Sequence, residues 1–173
     1  LGRRQLMTAP STELTFARDT AMLAGRILRS ATPGAFERKV GTDIVTATDL
    51  ESEALILGAL SEWFPHDDVL AEESGPQHLG AARRWCVDPL DGTVNFANGI
   101  PYFSVSIGLE DDAGGIAGVV YDPIRDELFS ADRGEVTKLH SVAVSPAHRG
   151  RNQVNPCSPC KSFSTGMPTS VSS

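Results

Sequence analysis

From Glu13 to Ser30, apolar or small residues recur at Leu14, Ala17, Ala21, Ala24 and Leu28. That three-then-four spacing lays one stripe along an amphipathic helix, and its small members predict close packing on another element. Thr32, Pro33 and Gly34 end it. From Phe36 to Val45 the pattern turns β-like, with a bend at Gly41 and Thr42 and a short apolar step at Ile44 and Val45. A second helix enters through Thr46, Ala47, Thr48 and Asp49, with Thr48 and Glu51 spaced as a capping box, and runs to about Phe64 before Pro65. Its expected buried side holds Leu50, Ala54, Leu57, Leu60 and Phe64, widened by Ile56 and Trp63.

The remaining apolar runs are short and strand-like. Val69 to Ala71 breaks into an acidic loop at Glu72, Glu73, Ser74 and Gly75. Another run ends at Asp88, and Asn98 to Pro101 forms a loop beyond it. Phe103, Val105, Ile107 and Leu109 then alternate with polar or small residues, Ile116 to Tyr121 is more continuously apolar, and Glu127 to Ala131 is a third run. The connections, Glu110 to Gly115 and Asp122 to Asp126, are short and rich in turn residues, so these three strands predict an antiparallel meander. The fold class is α+β, a two-helix layer packed on one face of an antiparallel sheet. Leu1 to Ser11 has no periodicity and reads as a frayed end. Beyond Pro146 the chain is rich in Ser, Pro and Thr, without acids or period. The expected organisation is one domain over 1–146 and a disordered tail over 147–173.

Composition adds bounds. A chain of 173 residues can bury roughly 70 % of its unfolded surface, enough for one domain with a real core. No apolar run approaches the roughly 18 residues of a membrane span, and no signal-peptide core follows Arg3 and Arg4, which predicts a cytoplasmic protein without a membrane partner. Three cysteines make no disulfide framework; Cys157 and Cys160 have the spacing of half a zinc site, but no second pair follows. His140 and His148 read as surface residues. The formal charge of −7 is uneven: no acid follows Glu135, whereas Lys138, Arg149, Arg151 and Lys161 do, leaving −11 on the rest (22 acids less 11 bases). So acidic a body disfavours nucleic acid and favours cations, which must cancel part of its field before a phosphate can enter.

The candidate chemistry concentrates between Trp85 and Phe96. An apolar run ends in Asp88 and Asp91, and Gly92 and Thr93 follow at once. Two carboxylates, a hydroxyl and free backbone amides in one short turn suit a divalent cation held against a phosphate, since Mg²⁺ takes one or two carboxylates and completes its shell with water and phosphate oxygens. Gly92 lets the backbone approach an anion, and amides opening a helix there add partial positive charge. Pro89 biases Asp88 toward extended geometry. An acidic β-turn, for which Asp-Pro and Asp-Gly are common, is the competing reading. Glu72 and Glu73 are either splayed on a solvated loop or held by a cation. Lys39 reads from composition as a solvated lysine, and Asp49 as a carboxylate favouring the helix dipole.

The run Asp88-Pro89-Leu90-Asp91-Gly92-Thr93, followed by Val94, Asn95 and Phe96, resembles the signature of the inositol monophosphatase family. Matching pieces flank it in order: Lys39, Thr46-Ala47-Thr48-Asp49, Glu72-Glu73, Gly118 to Pro123, and Phe129 to Ala131. Glu72 precedes Asp88 by sixteen residues, through a loop shorter than the family's. The resemblance implies the N-terminal half of the inositol monophosphatase-like fold and a Mg²⁺-dependent phosphomonoesterase. It implies that Glu72, Asp88 and the Leu90 carbonyl hold one metal, and that Asp88 and Asp91 hold a second with a further aspartate. Thr93, supported by Asp49, and Glu72 would orient and deprotonate the attacking water, and the Gly92 and Thr93 amides would hold phosphate. Lys39, Glu73 and Asn95 are implied as supporting residues.

The implied substrate is inositol 1-phosphate or a similar small sugar or polyol phosphate. Histidinol phosphate, fructose 1,6-bisphosphate and 3′-phosphoadenosine 5′-phosphate stay open, as does a homodimer. The resemblance fades between Leu139 and Pro146, and the Gly-rich turn after Gly134 is altered at Glu135 to Lys138. The family's later Trp-Asp-x-Ala-Ala-Gly-like motif does not occur here. The expectation is a chain truncated by a frameshift near Pro146, impaired in turnover; a non-catalytic chain or partner domain is the alternative. A cation buffer lacks any Ca²⁺-loop pattern.

Overall fold

A computed structural model describes residues 10–31, 36–38, 44–77, 80–134, 138–139 and 142–143. The first stripe forms helix α1 (Thr12–Ser30), whose buried residues include all five of the periodic positions. Ser11 caps it, accepting from the Leu14 amide at 3.0 Å. Ser11 also donates through its own amide and hydroxyl to Asp132, at 2.9 and 3.1 Å, tying the helix start to the sheet.

A two-stranded ribbon, β1 (Phe36–Arg38) and β2 (Ile44–Thr46), leads into helix α2 (Ala47–Trp63). Here two expectations change. The capping box is Thr46 with Asp49, not Thr48 with Glu51: Thr46 has the extended backbone of an N-cap, φ −110° and ψ 160°, while Thr48 already lies inside the helix. The buried side is also rotated. Asp49, Ser52, Glu53, Ile56 and Leu60 are inside, whereas Leu50 is 53 % and Trp63 63 % exposed. Polar residues win burial because each of the three is hydrogen-bonded within the fold, which removes the cost of desolvation.

After α2 come β3 (Asp68–Ala71), β4 (Gly75–Gln77), β5 (Arg83–Asp91), the short helix α3 (Thr93–Ala97), β6 (Ser104–Asp111), β7 (Gly114–Asp122), β8 (Glu127–Asp132), β9 (Lys138–Leu139) and β10 (Val142–Ala143). Among the described residues they form one sheet in the order β10-β9-β8-β7-β6-β5-β3-β4. The expected meander is β6, β7 and β8. Pairing is antiparallel throughout except between β3 and β5, which run parallel with Asp68 opposite Arg84 and Ala71 opposite Val87. Trp85, Val87, Val105, Ile107, Leu109, Ala117, Val119 and Tyr121 point to the helix side and form the core with α1 and α2. Phe16, Phe64 and Trp85 pack edge-on or tilted at centroid distances of 4.9 to 5.5 Å. Among the described residues the opposite face is uncovered: Val120 and Phe129, cross-strand neighbours, are 42 % and 37 % exposed.

Gly25 is where α1 touches the sheet most closely. A Cβ there would lie 2.5 Å from Cε1 of Tyr121, whose hydroxyl donates to Asp126 at 2.8 Å and so holds the ring in place. Gly25→Ala is expected to destabilise the chain by about 1–3 kcal/mol, as overpacking does. Urea unfolding would read this as a lower midpoint, and an unchanged midpoint would show that the ring yields freely.

No helix among the described residues is long and apolar enough to cross a membrane. Lys39, His140, His148, Cys157, Cys160, the altered turn at Glu135 to Thr137 and the tail over 147–173 lie outside the described residues.

Candidate active site

The parallel pair sets the position of the site. Because β3 and β5 run in the same direction, their C-terminal ends emerge at one edge of the sheet. The Glu72 amide donates to the Val87 carbonyl at 3.1 Å, carrying the pairing one residue beyond β3 and delivering Glu72 beside Asp88. The two carboxyl groups are hydrogen-bonded to each other. Between Asp88 and Asp91 the register with β6 slips, Asp88 facing Ser106 and Asp91 facing Ser104. This bulge accommodates Pro89 and Leu90, both buried, and leaves Asp91 exposed.

Burial pushes the Asp88 carboxyl up to about 8, helped by the charge and hydrogen bond of Glu72 and then by the charge of Asp91; the Leu90 amide, donating at 3.2 Å, opposes the shift. Exposed acidic neighbours gathered around a half-buried carboxyl are a condition a divalent cation relieves. The donors are hard oxygens, the set that suits Mg²⁺ rather than softer metals. Glu72, Asp88, Asp91 and the Leu90 carbonyl are the candidate ligands, drawn from neighbouring positions and not from one closed cluster. The set is partial: among the described residues no three His, Cys, Asp or Glu side chains converge into a complete metal-binding group.

Past the bulge the chain turns through Gly92, which has φ +97° and ψ 33° and opens α3. A Cβ at this position would sit 3.1 Å from the Tyr102 carbonyl oxygen, so both conformation and space call for glycine. Thr93 is the first residue of α3, and its hydroxyl lies 3.1 Å from Asp49 Oδ1 and 3.0 Å from the Leu90 carbonyl. Asp49 is fixed in turn: its Oδ2 accepts from the Thr46 amide at 2.8 Å and from the Thr46 hydroxyl. Asn95 donates to the Tyr102 carbonyl at 2.8 Å, clipping α3 to the loop that leads into β6. The first-turn amides of α3 have no partner within the helix and start beside Asp91.

Two buried residues of this region are absent from the sequence-based set. Ser52 donates to the Pro89 carbonyl at 3.0 Å, and Glu53 accepts from the amides of Glu73 and Ser74 at 2.8 and 3.0 Å. Their sequence signal is spacing: both stand three and four residues after Asp49, on the same stripe of α2. Apolar periodicity alone points to another stripe.

Similarity to known proteins agrees with this geometry. The family model described as "Inositol monophosphatase family" matches residues 10–170, nearly the whole sequence and further than the motif-level resemblance, which stops at Pro146. The chain belongs to the inositol monophosphatase family. Among related sequences, "Nus factor SuhB" of Salmonella typhimurium is 39 % identical over 137 residues, covering 76 % of this chain and 51 % of the relative. "Inositol monophosphatase 2" of Solanum lycopersicum is 41 % identical over 136 residues, covering 73 % of this chain and 51 % of the relative. Among solved structures, the extragenic suppressor protein suhB from Bartonella henselae superposes with a TM-score of 0.73 at 39 % identity, over 77 % of this chain and 53 % of that one. This member of the inositol monophosphatase family therefore spans about half the length of the relatives it matches, with their α+β arrangement of helices on a mostly antiparallel sheet.

Proposed function

We propose that the chain carries the metal- and water-positioning half of a Mg²⁺-dependent phosphomonoesterase for inositol 1-phosphate or a similar small sugar or polyol phosphate. The observation that carries this reading is the Thr93 hydroxyl, held between Asp49 and the Leu90 carbonyl on the turn that follows Asp88 and Asp91. A hydroxyl has one proton. With that proton directed to Asp49 or Leu90, the oxygen lone pairs of Thr93 are left to accept from a water and fix its direction. Glu72, which lies beside Asp88, is assigned in this reading to take the proton from such a water. The amides at Gly92 and Thr93 are the donors for a phosphate oxygen. Mg²⁺ held by Glu72, Asp88, Asp91 and the Leu90 carbonyl supplies Lewis acidity toward water and phosphate oxygens.

The test is calorimetric titration of the 173-residue chain with Mg²⁺. One weak site is expected, because only the partial ligand set is present; Asp88→Asn is expected to abolish uptake. Thr93→Ala should leave Mg²⁺ affinity nearly unchanged but, in a chain joined to a relative's second half, slow phosphate release by about 10²-fold or more, the scale of lost proton-transfer and water-positioning catalysis. High-affinity binding at two sites would refute the partial-site reading. A Thr93→Ala chain with full turnover would remove Thr93 from the mechanism.

A second reading draws on the relatives named Nus factor SuhB. A role as a Nus factor, without turnover, is favoured if Asp88→Asn leaves the chain's cellular function intact.

A further inference from the structure

We infer that Glu53 is a positioning residue for the metal-binding edge: it holds the turn that presents Glu72. The inference rests on the phosphatase reading for its purpose and on geometry for its substance. Glu53 is 4 % exposed and lies about one turn of α2 after Asp49. Its two carboxylate oxygens are both used: Oε2 accepts from the Glu73 amide at 2.8 Å and Oε1 from the Ser74 amide at 3.0 Å. These are successive backbone donors of the turn between β3 and β4, immediately after Glu72. A charged acceptor straddling two adjacent amides fixes the direction of that peptide segment more firmly than one neutral bond would. Glu72 itself is anchored on its other side, where its amide donates to Val87. With its backbone held from both directions, Glu72 has little freedom to swing away from Asp88.

One stripe of α2 thus governs both segments that carry the acidic groups. Asp49 holds Thr93 after β5, Ser52 holds the Pro89 carbonyl inside the bulge, and Glu53 holds the turn after β3. The spacing i, i+3, i+4 puts the three side chains on one helix face, so the distance between Glu72 and the Asp88–Asp91 segment is referred to a single rigid element. Loops alone set such distances poorly. With both of its oxygens taken by the Glu73 and Ser74 amides, Glu53 acts through the turn.

The experiment compares the full 173-residue wild type with Glu53→Ala, Glu53→Gln and a control, Asp67→Asn. Asp67 accepts from Arg83 and Trp85, so the control loses buried structure without touching the turn. Two quantities are read: hydrogen exchange of the Glu73 and Ser74 amides in metal-free protein, and Mg²⁺ affinity by titration. Glu53→Ala is expected to speed exchange at both amides at least tenfold and to weaken Mg²⁺ binding about tenfold. Glu53→Gln keeps one acceptor oxygen and turns an amide group toward the other donor, so it should fall between. Asp67→Asn should lower the unfolding midpoint while leaving both quantities unchanged. If Glu53→Ala remains folded and neither amide exchanges faster, the inference is overturned. Faster exchange with unchanged Mg²⁺ affinity also overturns it, since the turn would then be held for structure alone. A wild type that takes up no Mg²⁺ fails differently: the metal reading falls, and the metal-positioning inference falls with it, whatever the exchange rates show.

Discussion

Joined in one continuous chain to the C-terminal half of a relative, residues 1–146 are expected to release phosphate from inositol 1-phosphate in a Mg²⁺-dependent way, at least about 10³-fold faster than the 173-residue chain alone. Cation stabilisation of the attacking and leaving oxygens is worth several kcal/mol, and each 1.4 kcal/mol is a tenfold change in rate. Here the carboxylates at the sheet edge form a partial set, and Asp91 is exposed. The family resemblance implies a further aspartate to complete the second metal, together with most of the pocket for the leaving alcohol. In the joined chain, Asp88→Asn should reduce turnover to background, because this carboxylate is the one implied to be shared by both metals. The measurement is phosphate release across a Mg²⁺ series for both chains. Robust, Mg²⁺-dependent release by the 173-residue chain, lost in Asp88→Asn, would overturn the partial-site argument and make the short chain a sufficient phosphatase.

The second large effect concerns stability. In the metal-free protein, burial and the neighbouring Glu72 and Asp91 raise Asp88 from 3.8 to about 8. Unfolded, the same carboxyl loses its proton near pH 4, so between these values the folded state binds more protons than the unfolded one. Stability therefore falls as pH rises from about 4 to 8 and flattens above, by an amount on the order of a few kcal/mol. Urea unfolding in EDTA from pH 5 to 8.5 should show the midpoint moving down. Asp88→Asn removes the titrating group and can donate to Glu72, so its midpoint should be nearly independent of pH and higher than that of the wild type at pH 8. Millimolar Mg²⁺ at pH 8 should raise the wild-type midpoint and leave the variant unmoved. A wild-type midpoint that stays level or climbs with pH would show that the carboxylates are not crowded as described.

Residue pattern made the two helices and the meander legible, because α1 and the strands β6, β7 and β8 each bury one face by a simple period. Where burial is polar, the period misleads: α2 hides Asp49, Ser52 and Glu53 and exposes Leu50. The parallel pairing of β3 with β5 was also out of reach, since a four-residue apolar run carries no mark of direction. At the candidate site, residue types alone point to the Asp88 to Thr93 turn as a candidate cation and phosphate position, with an acidic β-turn as the competing reading, and the family resemblance adds Asp49 and Glu72. Glu72, Asp88, Asp91, Gly92, Thr93 and Asp49 do come to one edge of the sheet. Glu73 contributes through its backbone amide to Glu53, and Asn95 through a clip to Tyr102. Ser52 and Glu53 escaped because their partners are backbone groups distant in sequence, which no local motif reports.

The Thr46–Asp49 capping box has a consequence for how this protein can change over generations. One carboxylate both closes the start of α2 and holds Thr93, so a population drifting under pressure for mere foldedness still retains Asp49. Asp88 stands in the opposite position, since a carboxyl pushed up to about 8 by burial and by Glu72 is expected to cost stability at neutral pH when no cation is bound. Relaxed selection would thus erode the chain unevenly. A lineage that had stopped using metal would lose Asp88 early and keep Asp49, and the order in which the two disappear would record when chemistry was abandoned.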